Sequence, residues 1–246
     1  MLRAAPRAFN SWDAIKLFAI LTMFIDHSGA FIFTEETDRW LRAIGRASAP
    51  IFLFLGGFAS SYRFKWDLFA LALVMTVSDT LLAGHLRTQN ILVTIILCRM
   101  LLDWLERKGK TIKHPYQWLL GSFAWIGTVM LTQYGTLGLM FALCGYVKRR
   151  GSIYPKQVQD RMLAISLAAF ALISWLSFEF VAHEIVIVAV MLTIVYWLLS
   201  KLELRDIDTG RCPKWLVWVG KTLSSYSGYV YALHLIALEW ITGIPF

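Results

Sequence analysis

The stretch Ser11–Gly29, SWDAIKLFAILTMFIDHSG, decides how the chain is read. Its length and apolar content suit a helix crossing a bilayer, yet it carries Asp13, Lys16, Asp26 and His27. An ionisable side chain in hydrocarbon costs a few kcal/mol even on lenient insertion scales, so residues of this kind point to function. The step from Lys16 to His27 returns to within roughly 20° of the same helix face and advances about 16 Å along the axis, half the hydrocarbon thickness. One face thus carries a cation near one membrane surface and a titratable imidazole beyond the midplane.

The whole composition agrees with that reading. The chain has 246 residues, 58% hydrophobic, 15% aromatic and 16% charged, with mean hydropathy +0.59. No soluble domain of this length is so apolar. The expected fold is an all-α polytopic transmembrane helix bundle, with residues 1–246 forming a single domain. The net charge of +8 is then first a topological signal. Nucleic-acid binding is set aside, because no basic stretch with interleaved exposed aromatics lies outside the apolar spans. Arg3 and Arg7 precede the first helix as in a signal peptide, but its apolar run is too long and lacks a small-x-small cleavage site, so it is expected to remain. Cys98, Cys144 and Cys212 lack the paired spacing of a zinc or redox motif and read as packing residues, with no metal implied.

Apolar runs predict about nine spans. The first covers about 13–33; a polar connection, TEETDRWLR, leads to a second from Ile44 to about Tyr62. Pro50 removes the donor for the Arg46 carbonyl, a broken helix start of the kind tolerated where it lines a cavity. Further spans are expected at about 67–82, 90–105, 116–131, 135–147, 162–178, 184–199 and 221–241. If the basic connections at 106–114, 148–161 and 200–214 face the cytoplasm, alternation also brings Arg63, Lys65 and the N-terminus inside, and leaves the C-terminus outside.

This topology assigns depths. Asp26 and His27 fall in the outer half of the first span, Arg46 near the outer mouth of the second, Asn90 at the outer start of the fourth, and Tyr134 in an outer turn. Lys16, Arg63 and Lys65 lie toward the cytoplasm. In the last span Ser224, Ser227, Tyr231 and His234 recur at three- and four-residue steps and form one polar face, as suits the wall of a pocket. A histidine beside an aspartate suits a general base acting on a hydroxyl or amine. A nearby arginine suits a developing oxyanion or an anionic donor. Against these stand plainer roles: interhelical hydrogen bonding for His234, snorkelling for Arg46, and positive-inside anchoring for Lys16, Arg63 and Lys65.

The segments DAIKLFAILTMFIDHSG, IGRASAPIFLFLGGF, NILVT at 90–94, QYGTLG at 133–138 and YVYALHLIAL at 229–238, in that order, resemble the TraX family of integral membrane acetyltransferases. Its founding member is implicated in acetylating the N-terminus of conjugative F-type pilin. The family is similar to the broader acyltransferase-3 group, in which a basic residue, ten intervening positions and a histidine mark the first helix; Lys16 and His27 fit that spacing, although lysine stands where arginine is common. The resemblance implies catalysis by His27, Asp26 and Arg46, with Asn90, Tyr134 and His234 as further pocket positions; Lys16 and Arg63, from their cytoplasmic charge, and Tyr231, from its polar helix face, are the other candidates for binding substrate or donor. It implies acetyl-CoA as the acyl donor, an extracytoplasmic acceptor (protein N-terminus, glycan or lipid) and a place in the bacterial inner membrane. A transporter or flippase with a His/Asp/Arg relay is the alternative from another class, and a noncatalytic assembly factor a third.

Overall fold

The computed structural model describes residues 8–33, 35–85, 90–109, 112–122 and 134–244. Arg3, Arg7 and positions 123–133, which hold most of the expected fifth span, lie outside the described residues. Among the described residues the chain is all-α. Its helices are α1 (Ser11–Ile32), α2 (Glu35–Gly45), α3 (Ser48–Phe58), α4 (Trp66–Ala83), α5 (Ile91–Arg107), α6 (Pro115–Gly121), α7 (Gly135–Arg149), α8 (Lys156–Phe178), α9 (Ala182–Ser200), α10 (Lys214–Ser225) and α11 (Ser227–Thr242). Among the described residues, five stretches are long and apolar enough to cross a membrane: Ser11–Ile32, Thr37–Phe58, Trp66–Ala83, Lys156–Phe178 and Ala182–Ser200.

Local chemistry explains the boundaries. α1 begins with a reciprocal capping box, in which Asn10 accepts from the Asp13 N–H and Asp13 accepts from the Asn10 N–H, both at 3.2 Å. α2 and α3 run on from one another with a break at Arg46 and Ala47, where Pro50 lacks the N–H that would meet the Arg46 carbonyl. Ser48 Oγ donates to the Gly45 carbonyl at 2.9 Å across that break.

Two expected boundaries are corrected. The connection TEETDRWLR is helical in α2 from Glu35 onward, because its charges find partners on other helices: Arg39 grips Glu184 of α9 with two bonds of 2.8 and 2.9 Å. The last expected span is two helices, α10 and α11, parted at Tyr226. Cys212, expected to pack, is exposed, whereas Cys98 and Cys144 are buried.

α7 is the centre of the bundle, with every residue from Gly135 to Val147 buried. It meets α3 backbone to backbone: a Cβ on Gly57 would lie 1.8 Å from the Ala142 carbonyl oxygen, and one on Gly145 would lie 2.0 Å from that of Phe54. By contrast α4, α8 and α9 turn large apolar side chains outward, among them Leu81, Leu176, Val186 and Trp197. So much contiguous apolar surface suits lipid rather than water.

At one end of the bundle the connections join. Residues 9–11 pair with 205–207 through Ser11 N–H to the Arg205 carbonyl (3.0 Å) and Ile207 N–H to the Phe9 carbonyl (2.9 Å). Lys148 donates to the Ser200 carbonyl at 2.7 Å, Tyr154 to that of Ile112 at 2.9 Å, and Arg150 pairs with Glu106. The start of α1 and the three basic connections therefore share one end.

Candidate active site

Helices α1, α2, α7 and α11 converge on His27. Asp26 and His27 are each 4% exposed, so any charge there has to be answered by protein. Gly45 makes the approach possible, since a Cβ at that position would fall 2.2 Å from that of Asp26. The close contact brings Arg46 to Asp26, with Nη2 2.6 Å from Oδ1, and sets Arg42 Nε 3.8 Å from the same oxygen. Both guanidinium groups lie over the Phe178 ring, at 4.4 Å for Arg46 and 5.0 Å for Arg42. Tyr134, whose backbone is left-handed at the start of α7, hydrogen-bonds Arg46 through its side chain.

The two histidines form a pair. His27 Nδ1 lies 2.6 Å from His234 Nε2, and the rings stack at 4.8 Å with 13° between their planes. His234 Nδ1 is 2.8 Å from the Val230 carbonyl, an acceptor only. For neutral rings this fixes both tautomers: His234 carries its proton on Nδ1 and accepts at Nε2, so His27 donates from Nδ1. His27 Nε2 then keeps its lone pair, 4.0 Å from Asp26 Oδ2. A base whose far nitrogen is held by a second group is the arrangement that fixes a catalytic imidazole in one tautomer and orientation.

His27 and Asp26 close one end of a cavity of about 230 Å³. Tyr134, Tyr231, Ser48 and Ser227 supply further polar wall, and Met23, Phe52, Leu55, Leu92 and Ile95 supply apolar wall. Lys16, Lys65, Arg99 and Trp12 line it as well. Since Lys16 precedes His27 by about 16 Å along α1, the cations and the imidazole stand at opposite ends.

The residues expected from sequence thus divide into three groups. Asp26, His27, Lys16, Tyr134 and Tyr231 all line the cavity. Lys16 Nζ donates to the Ser224 carbonyl at 3.0 Å and lies 5.6 Å from the Trp12 ring centre. Arg46 and His234 stand behind the wall, the first on Asp26 and the second on His27. Arg63 and Asn90 are elsewhere. The Arg63 side chain is exposed. Asn90 caps α5 through the Leu92 N–H (3.1 Å) and ties it to α4 through the Ala72 carbonyl (3.0 Å).

Along the polar face of α10 and α11, Ser224 Oγ donates to Asp13 at 2.7 Å, so that face is turned to α1 throughout. Sequence reasoning missed Arg42 and Arg99. Arg42 was hidden in what reads as a loop. Arg99 stands inside the apolar run ILVTIILCRMLL, where the rule that singled out Asp26 applies equally.

A helix bundle with lipid-type apolar faces and several membrane-length apolar helices is a multi-pass membrane protein, here with a His–His–Asp–Arg cluster beside a cavity. Residues 11–242 match the family described as "TraX protein", and the chain belongs to that family. It is 24% identical over 243 residues to an uncharacterized protein of Rickettsia prowazekii (strain Madrid E), covering 96% of this chain and 94% of the relative. No solved structure matches.

Proposed function

We propose that this protein is a membrane-embedded acetyltransferase of the bacterial inner membrane, moving an acetyl group from cytoplasmic acetyl-CoA to an acceptor on the outer side. The supporting topology is the nine-span reading with the N-terminus inside and the C-terminus outside. The observation that carries the proposal is the cavity itself, with a histidine lone pair at one end and cations at the other. Membership of the TraX family agrees with it.

The chemistry follows from the residues. The acceptor hydroxyl or amine gives its proton to His27 Nε2 as its oxygen or nitrogen attacks the thioester carbon. Tyr134 and Tyr231, which line the cavity, can donate their hydroxyls to the oxyanion that develops. The C–S bond then breaks and the departing thiolate takes the proton from His27. Asp26, balanced by Arg46 and Arg42, supports the imidazolium formed in between, and His234 holds the ring in place. Arg46 acts through Asp26 rather than on the substrate.

The test is release of free thiol from acetyl-CoA by the purified protein in proteoliposomes, with envelope extract as acceptor. His27→Ala is expected to lower the rate by about 10²–10⁴-fold while the protein keeps its melting temperature and still binds the donor. Unchanged turnover in the variant would remove the base from the mechanism. Absence of acetyl-CoA binding by the unaltered protein would favour a transporter with the same buried cluster.

A further inference from the structure

Arg99 carries an inference that the transferase reading did not assign. It lies on α5 in a membrane-type apolar run and is 9% exposed, yet among the described residues no carboxylate comes within ion-pair distance of it. Its near acidic neighbour on the helix, Asp103, is engaged by Arg107 at 2.7 Å. A buried guanidinium whose acidic neighbours, Asp103 and Asp67, act on it only from beyond ion-pair distance is costly, and such a group suits an anion from elsewhere. Arg99 Nη2 donates to the carbonyls of Ser61 (2.7 Å) and Arg63 (3.3 Å), which fixes the guanidinium against the α3–α4 connection. Arg99 also forms the cavity wall together with Lys16 and Lys65, and its guanidinium has further N–H donors to offer a ligand there.

We infer that Arg99 is the fixed centre of a phosphate-binding site at the basic end of the cavity, completed by Lys16 and Lys65. A planar, pre-oriented fork suits two phosphate oxygens at once, whereas the two lysines contribute point charges. Two sources present this chemistry, the nucleotide end of an acyl-CoA and the headgroup of an anionic lipid. In the first case the phosphate end is anchored at Arg99 and the thioester reaches toward His27; this part of the inference rests on the transferase reading.

The experiment measures binding without turnover. Adenosine 3′,5′-bisphosphate is titrated onto the protein in nanodiscs of uncharged phosphatidylcholine, for the unaltered chain and for Arg99→Gln, Arg99→Lys and Lys65→Gln. The expected result is binding by the unaltered protein, weakened about 10–100-fold in Arg99→Gln, the range of one or two hydrogen bonds to a charged group. Arg99→Lys should bind at an intermediate level, and Lys65→Gln, whose side chain is exposed, should bind several-fold more weakly with the fold undisturbed. If only phosphatidylglycerol stabilises the protein, and does so through Arg99, the phosphate comes from lipid. Equal binding of both phosphate sources by the unaltered chain and the Arg99 variants would overturn the site. If Arg99→Gln does not fold, Arg99→Lys and Lys65→Gln decide: binding at the unaltered level in both also overturns it. Bisphosphate binding through Arg99 with no thiol release from acetyl-CoA would leave the anion site standing and remove the transferase reading instead.

Discussion

The contact of α3 with α7 and the contact of α1 with α11 are built on opposite plans. Between α3 and α7 the backbones touch through Gly57 and Gly145, and the flanking side chains are apolar and buried. Between α1 and α11 the helices meet through side chains, His27 on His234 and Lys16 on the neighbouring Ser224 carbonyl, and space remains between them. Lipid tails are as apolar as leucine, so a bundle in a membrane gains cohesion from close packing rather than from hiding apolar groups. The first contact therefore holds the fold, and the second hosts the chemistry on the proposed reading. The costly polar groups around His27 partner one another on that second side.

The sharpest way to break this division is to fill the tight contact. Gly145→Leu pushes α3 and α7 apart, and size-exclusion chromatography in detergent should recover little or no folded monomer. Removing the counter-charge at the site comes next. Asp26→Ala leaves Arg46 buried without its carboxylate and should cost about 3–5 kcal/mol in thermal unfolding. Asp26→Asn combined with Arg46→Met should recover most of that loss while remaining inactive, which separates stability from chemistry within one ion pair.

A smaller effect is expected at the histidine behind the base. His234→Ala removes the group that holds the His27 tautomer, and turnover should fall about 10²-fold with KM for acetyl-CoA unchanged. A rise in KM alone would make His234 a donor-binding residue. The smallest effect is at Asn90, where alanine removes a helix cap worth about 1 kcal/mol. Turnover per folded molecule should not change, since the side chain faces Ala72 and Leu92 rather than the cavity. A large fall in turnover would return Asn90 to the site.

Much of this was legible in the chain. The polar faces of the first and last helices were readable because helical periodicity is local: Lys16 and His27, or Ser227, Tyr231 and His234, share a face whatever surrounds them. Pro50 likewise announced the break beside Arg46. That Arg63 and Asn90 do not line the cavity was not legible, because depth in a span says nothing about the direction a side chain takes around it. α2 was hidden because its density of charge is that of a loop, and its partners, Glu184 and Asp26, belong to other helices.

By itself, then, the sequence determined an all-α membrane bundle of the TraX family, with an acid–histidine pair buried in its first helix; hydropathy, periodicity and the order of motifs are properties of the chain alone. Only the tertiary structure decided that His27 meets His234 across 207 positions, that Arg46 and Arg42 share Asp26, and that Arg99 stands with Lys16 and Lys65. Such partners depend on how closely helices approach and how they are rotated. Those are set by where glycines allow backbones to touch, as at Gly45 and Gly57, and not by the pattern within any one helix.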